Sequence, residues 1–322
     1  HSNKLKSPIE HVITAYQNGE VELKEAGRTL RQMFLKSTFP TPLAEGIQEA
    51  YKTLSKKYQN GKPKLSDDFS VNVAVRSSAT AEDLPHASFA GQQETYLNVN
   101  GADDLMNACK NCFASLFTDR AITYREKMGF DHMKVALSIG VQKMVRPDES
   151  CSGVMFTVDT ETGFPKAIVI TGSWGLGETV VKGTVNPDQF YVFKPHLNNL
   201  DYKPIIEKSL GSKEVKMIYA SEKGKNTAVV PTDITDRDKF VLSDDEILTL
   251  ARWGLTIENH YQKAMDIEWV KEDETQKLYI LQARPETVHS TLENGLFKSY
   301  KLKPGKHNIL VKGVSIGSSI ST

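Results

Sequence analysis

An arginine at the end of an alternating apolar run is the first feature able to do chemistry. Val71, Val73 and Val75 alternate, and Arg76-Ser77-Ser78-Ala79-Thr80 follows with small and hydroxyl side chains. Ser88-Phe89-Ala90-Gly91-Gln92-Gln93-Glu94-Thr95 then supplies a glycine-containing loop. A guanidinium pairs with two phosphate oxygens at once, and hydroxyls and loop N–H groups donate to the remainder, so the set suits a polyphosphate. A Ser/Thr-rich turn carrying a surface arginine fits the same residues. The second feature is Asp266-Ile267-Glu268 with Gln282-Ala283-Arg284. Side chains alternate along a strand, so Asp266 and Glu268 share one face, as do Gln282 and Arg284. If the two segments form a hairpin in which 268 faces 282, then 266 faces 284, and four polar groups meet at one end of a sheet. Carboxylates and an amide oxygen are hard ligands suited to Mg²⁺, with phosphates completing its shell. An ordinary cross-strand ion pair between Asp266 and Arg284 is the simpler reading; it leaves Glu268 and Gln282 unexplained between apolar neighbours.

Other features carry less. Gly172-Ser173-Trp174-Gly175-Leu176-Gly177 follows a strand-like run but lacks dinucleotide spacing, so a close backbone turn against a ligand or another strand fits better. Cys109-Lys110-Asn111-Cys112 has metal or redox spacing, yet both thiols fall on the apolar face of a helical pattern with no second pair, which points to core packing. The eight histidines show no ligand spacing, and no nucleophile elbow is present.

The elements that must position these residues follow from periodicity. Residues 1–60 read as helices interrupted at Phe39-Pro40-Thr41-Pro42. A long helix carrying Leu105, Cys109, Cys112, Leu116, Phe117 and Tyr124 ends before Gly129, and Val135, Leu137, Ile139 and Val141 alternate as a strand. Strands are expected over 153–159, 167–171 and 190–193. Ser243-Asp244-Asp245-Glu246 is a capping box opening a helix, and 267–270 with 278–283 reads as a hairpin. Five lysines against one glutamate in residues 291–322 mark a boundary near residue 290. The fold class is α+β.

The 322 residues suffice for about two domains. Forty basic and forty acidic side chains leave no net field to gather nucleic acid or an anionic membrane. A mean hydropathy of −0.39 and the absence of a long apolar run speak against a membrane span. Three cysteines, an odd number and too few for a disulfide framework, point to a reducing, cytoplasmic setting.

The stretches VRSSATAEDLPHASFAGQQETYLNV, SCSGVMFTVDTETGF, GSWGLGETVVKGTVNPDQFYV, MDIEWV and LYILQARPETV resemble the ATP-binding domain of the phosphoenolpyruvate synthase (pyruvate, water dikinase) family. Pyruvate, phosphate dikinase and rifampicin phosphotransferase share that nucleotide domain; the NPDQFYV and LQARPETV segments fit the synthase better. A non-catalytic nucleotide-binding module is the reading from a different class.

The resemblance implies a two-lobed, ATP-grasp-like domain, residues 1–142 and 143–290, holding ATP between its lobes. Residues 291–322 would be a linker and the start of a swivelling phosphohistidine domain. The implied reaction converts ATP, pyruvate and water to AMP, phosphoenolpyruvate and phosphate, the β-phosphoryl group passing through that histidine. By motif, Arg76 would contact phosphates, and Gly91 and Thr95 would line a lid. Gln142 would stand at the hinge, where Met144 and Val145 offer backbone groups to adenine. Glu268 and Gln282, with Asp266 as a further candidate, would hold Mg²⁺, and Arg284 would bind the terminal phosphate. Arg76 and Arg284 are thus the expected catalytic pair. The family's opening Gly-Gly-Lys segment, its Thr-x-His-Ala motif and its pyruvate-binding barrel have no counterpart here. The expectation is an N-terminally truncated fragment, inactive alone, reaching pyruvate only through other domains, with a homodimer as the full-length assembly.

Overall fold

The computed structural model describes residues 3–59, 70–80, 83–84, 87–88, 94–199, 201–220 and 227–286. The chain divides into two compact units, His1–Met144 and Val145–Thr322. Gly91 and the 291–322 tail, both named above, lie outside the described residues. Among the described residues, no helix is long and apolar enough to cross a membrane.

The first unit opens with α1 (Lys6–Gln17), α2 (Leu23–Lys36) and α3 (Thr41–Gln59), the last starting at the Pro-rich interruption. β1 (Val73–Ala79), β2 (Asp83–Leu84), β3 (Ala87–Ser88) and β4 (Thr95–Val99) follow, then α4 (Ala102–Ser115), α5 (Asp119–Lys127) and β5 (Leu137–Lys143). β1 is the centre of an antiparallel sheet ordered β4-β1-β5, while β2 and β3 pair only with each other. Val73, Val75 and Val99 bury one face of that sheet against Leu105, Cys109 and Cys112 of α4 and Tyr51 of α3. A second cluster, with Ile9, Leu30, Leu116, Phe117 and Ile122, joins α1 and α2 to the α4–α5 corner.

That corner corrects the expectation of one continuous helix through Tyr124. The helix stops after Ser115, and Thr118 caps a new one, its hydroxyl accepting from Ala121 N at 3.2 Å. The turn aims Phe117 O at α2, where Arg31 Nη1 donates to it at 2.7 Å and to Asp119 Oδ1 at 3.1 Å. Apolar residues continue through the break, but α4 buries its own against the sheet while Leu116, Phe117 and Ile122 pack with α1 and α2.

The second unit is built on a six-stranded antiparallel sheet. Its strands are β6 (Cys151–Phe156), β7 (Ala167–Trp174), β8 (Asp188–Phe193), β9 (Ile205–Ser209), β12 (Met265–Lys271) and β13 (Leu278–Pro285), ordered β13-β12-β6-β7-β8-β9. A separate hairpin joins β10 (Val215–Tyr219) to β11 (Thr227–Pro231), and α6 (Glu178–Val181) and α7 (Ile234–Arg237) are single turns. α8 (Asp244–Tyr261) begins at the expected capping box: Ser243 accepts from Glu246 N while Glu246 accepts from Ser243 N. Ile247, Leu250 and Ala251 of α8 pack onto Met155, Ile170, Phe190, Ile267 and Trp269, all fully buried. One face of the sheet is therefore committed to the core, and alternation leaves Asp266, Glu268, Gln282 and Arg284 on the other.

Candidate functional site

The hairpin register is the one strand parity demands. Asp266 faces Arg284 and Glu268 faces Gln282, with Met265 opposite Pro285. Directly opposed residues bring their Cβ atoms to about 4.5–5.5 Å, so the four side chains form one cluster. One residue further the ladder slips, Trp269 pairing with Ile280, which leaves Leu281 as a bulge beside the cluster. Bulges re-aim neighbouring side chains and are frequent beside functional sites.

Within the cluster the charges are already arranged. Arg284 donates from Nε at 2.8 Å and approaches from Nη2 at 2.7 Å, both to Asp266 Oδ2. Burial pushes the Asp266 carboxyl above its ordinary range, and the Arg284 guanidinium pulls it back. The simpler ion-pair reading is thus also realised: Asp266 serves as the counter-ion that fixes Arg284, and Glu268 and Gln282 stand half-buried beside it. Across β12 toward β6, Glu268 faces Val154 and Asp266 faces Phe156, giving the polar cluster an apolar shoulder. Among the described residues no three His, Cys, Asp or Glu side chains converge as a metal site. One carboxylate and one amide oxygen fit Mg²⁺ only as a partial shell, the kind that nucleotide phosphates complete.

The first unit brings its own predicted residues onto one face. Thr95 of β4 lies opposite Arg76 of β1, Gly140 of β5 lies opposite Arg76 on the other side, and Gln142 faces Ala74. Opposed residues point the same way, so Thr95, Arg76 and Gln142 all stand on the face that α4 does not cover. Parity of β1 alone could not have shown this. It needs the β1–β4 register, which contains a bulge between Val73 and Val75, with Asn98 on the partner strand at φ 55°.

The boundary between the units falls between Met144 and Val145, the segment assigned to the hinge. Met144 N donates to Asn72 O at 2.8 Å, and Tyr219 Oη donates to Val145 O at 3.3 Å. Arg146 stacks over the Tyr219 ring at 4.9 Å and pairs with Asp148 at 2.9 Å, so the chain is held firmly on leaving the boundary.

Two weaker motifs resolve as packing. Cys109 and Cys112 are buried, and burial pushes their thiols up to about 11 and about 12, the reverse of what a thiolate ligand or nucleophile needs. Gly175 adopts φ 77°, and a Cβ there would come within 2.3 Å of Met217 O. The glycine run is a close backbone turn against the β10–β11 hairpin.

Sequence reasoning missed one polar cluster. Lys213 and Asp188 are both completely buried and paired at 2.5 Å. Asp188 also accepts from Gly211 N and Val241 N, each at 2.8 Å. Asp188 belongs to the NPDQFYV segment, and its one available signal was an aspartate heading a strand in register with the buried Phe190 and Val192.

Comparison with known proteins places the chain. It matches the family described as Pyruvate phosphate dikinase, AMP/ATP-binding domain, over residues 1–301. It is 49% identical to the phosphoenolpyruvate synthase of Aquifex aeolicus over 99% of this chain, and 51% identical to that of Synechocystis over 94%. Against the Escherichia coli phosphoenolpyruvate synthase the identity is 48% over 93%. The chain spans 38%, 37% and 36% of the lengths of these three relatives.

Proposed function

Since the chain belongs to the pyruvate phosphate dikinase AMP/ATP-binding domain family, we propose that it is the nucleotide-binding part of a phosphoenolpyruvate synthase, with an ATP-grasp-like mode of holding ATP. In this reading ATP is the substrate, its β-phosphoryl group passes to a histidine on a separate domain, and pyruvate and water are the remaining reactants. The products are AMP, phosphoenolpyruvate and phosphate. Phosphoryl transfer asks little covalent chemistry of the protein; it asks for positioning and neutralisation of charge on the phosphate oxygens.

The observation that carries the proposal is the Glu268–Gln282 pair set directly beside the Asp266–Arg284 ion pair. Asp266 holds the Arg284 guanidinium on the polar face, so the side chain would meet a terminal phosphate already ordered. Glu268 and Gln282 would hold Mg²⁺, which when bound neutralises phosphate charge. On the first unit, Arg76 would donate to phosphate oxygens as a two-pronged fork and Thr95 would add a hydroxyl. Gln142 would stand at the approach to the adenine segment, Met144–Val145. Gly91 keeps its place in the lid on sequence grounds alone.

Titration calorimetry with ATP, with and without Mg²⁺, tests the assignment. Glu268→Gln keeps size and hydrogen bonding and removes one charge, so Mg-ATP affinity should fall about tenfold or more while metal-free ATP affinity stays put. An unchanged Mg-ATP affinity refutes the metal role of Glu268.

A further inference from the structure

We infer that Gly140 is the clearance for the polyphosphate chain of ATP: its missing side chain opens a lane beside Arg76 that the phosphates occupy. The inference rests on the nucleotide reading above and adds to it a residue that neither binds nor pairs. In the cross-strand row Thr95–Arg76–Gly140, the arginine has a hydroxyl on one side and no side chain on the other.

Glycine is costly at this place. It lies in the middle of β5, where it lowers strand propensity and adds unfolded-chain entropy. The usual reasons for such a glycine do not apply. Gly140 is not among the residues with positive φ, so the backbone does not require it. Nor does packing: a Cβ built there meets Arg76 O at 3.9 Å as its nearest described atom, an ordinary contact. This contrasts with Gly175 and with Gly172, whose added Cβ would lie 2.8 Å from the Trp269 ring. The residue is exposed and β5 is an edge strand, so among the described residues a larger side chain has room. What a side chain would obstruct is the space over the face where Arg76, Thr95 and Gln142 stand. The lane adjoins the guanidinium, whose chemistry selects phosphate oxygens, so the occupant is the phosphate chain and not the nucleoside.

Gly140→Ala and Gly140→Val test the lane, with Val141→Ala on the opposite face of the same strand as control. Affinity is measured by calorimetry for Mg-ATP and by competition for Mg-tripolyphosphate, and Tm by circular dichroism. We expect Tm to hold or rise in both glycine variants. Affinity should weaken in steps, modestly for Ala and about tenfold or more for Val, by the same factor for both ligands, and remain unchanged in the control. Wild-type affinity in Gly140→Val overturns the inference and leaves the nucleotide reading intact. A loss confined to Mg-ATP overturns the phosphate assignment. A marked fall in Tm shows that the chain itself fills the space, and overturns it too. Failure of the wild-type chain to bind Mg-ATP removes the nucleotide reading and this inference with it.

Discussion

Lys213→Met removes one charge from a pair that has no access to water, and its cost can be worked from the contacts. The substitution keeps most of the aliphatic stem and deletes the ammonium that donates to Asp188 Oδ1 at 2.5 Å and to Gly211 O at 3.0 Å. Asp188 is left as a buried anion with two backbone donors, Gly211 N and Val241 N. Removing one member of a buried ion pair costs about 3–5 kcal/mol, and the two surviving N–H bonds put this case toward the lower end. For a unit of this size that is a fall in Tm of roughly 6–20 °C. Asp188→Asn on its own should also destabilise, because the lysine then lacks its counter-charge. The double variant should cost less than the two single costs added, since each second change removes a charge the first had stranded. The assay is thermal and urea unfolding of the wild type, both single variants and the double variant. A Lys213→Met protein within about 1 kcal/mol of wild type would refute the reasoning, because only solvated pairs are worth so little.

Two further outcomes follow from the geometry. Arg76→Lys should bind Mg-ATP as poorly as Arg76→Ala, because a point-charge ammonium cannot reproduce a two-pronged contact; calorimetry showing near-wild-type affinity for the lysine variant would reduce Arg76 to bulk charge. His132, buried and accepting from Arg125 Nε at 2.9 Å, has its pKa lowered first by burial and then by the neighbouring guanidinium. A histidine held neutral in the folded state contributes stability that is present above its unfolded pKa of about 6.5 and is lost as pH falls below it. The Tm of the wild type should therefore drop between pH 7 and 5 more steeply than that of His132→Asn, and equal slopes would show that the histidine is not the titrating group.

What the sequence disclosed and what it hid divide along physical lines. The 266–285 register was legible because alternation has a period of two, and one fixed pairing sets every other. The α8 start was legible because a capping box is local. The α4–α5 break was hidden because apolar residues continue across it into a second cluster, and only the Thr118 cap marked the joint. The common face of Thr95, Arg76 and Gln142 was hidden for another reason. It depends on a sheet whose third strand, β4, is short and bulged, and no local pattern reports a bulge's position. Lys213 was the least visible of all: a lysine in a polar loop reads as solvated, and its counter-ion lies 25 residues away. The roles of Gly91, Thr95, Gln142, Met144 and Val145 came from resemblance alone, whereas those of Arg76, Glu268 and Gln282 were also readable from residue type and strand parity, to which the structure adds the registers and the Asp266–Arg284 ion pair.

The β10–β11 hairpin is anchored to the glycine turn chiefly by main-chain atoms: Leu176 N donates to Met217 O at 2.8 Å, and Gly175 forms a parallel bridge with Met217. A joint made of amides is indifferent to the side chains around it. The hairpin can therefore drift in sequence while its attachment survives, and the selective burden of holding it falls on Gly175, the position with no side chain to change. Mutational scanning across residues 215–218 and 227–231 would meet broad tolerance, with Tyr219 held by its own side-chain contacts, and the intolerance belonging to the glycine contact would surface some 40 residues upstream.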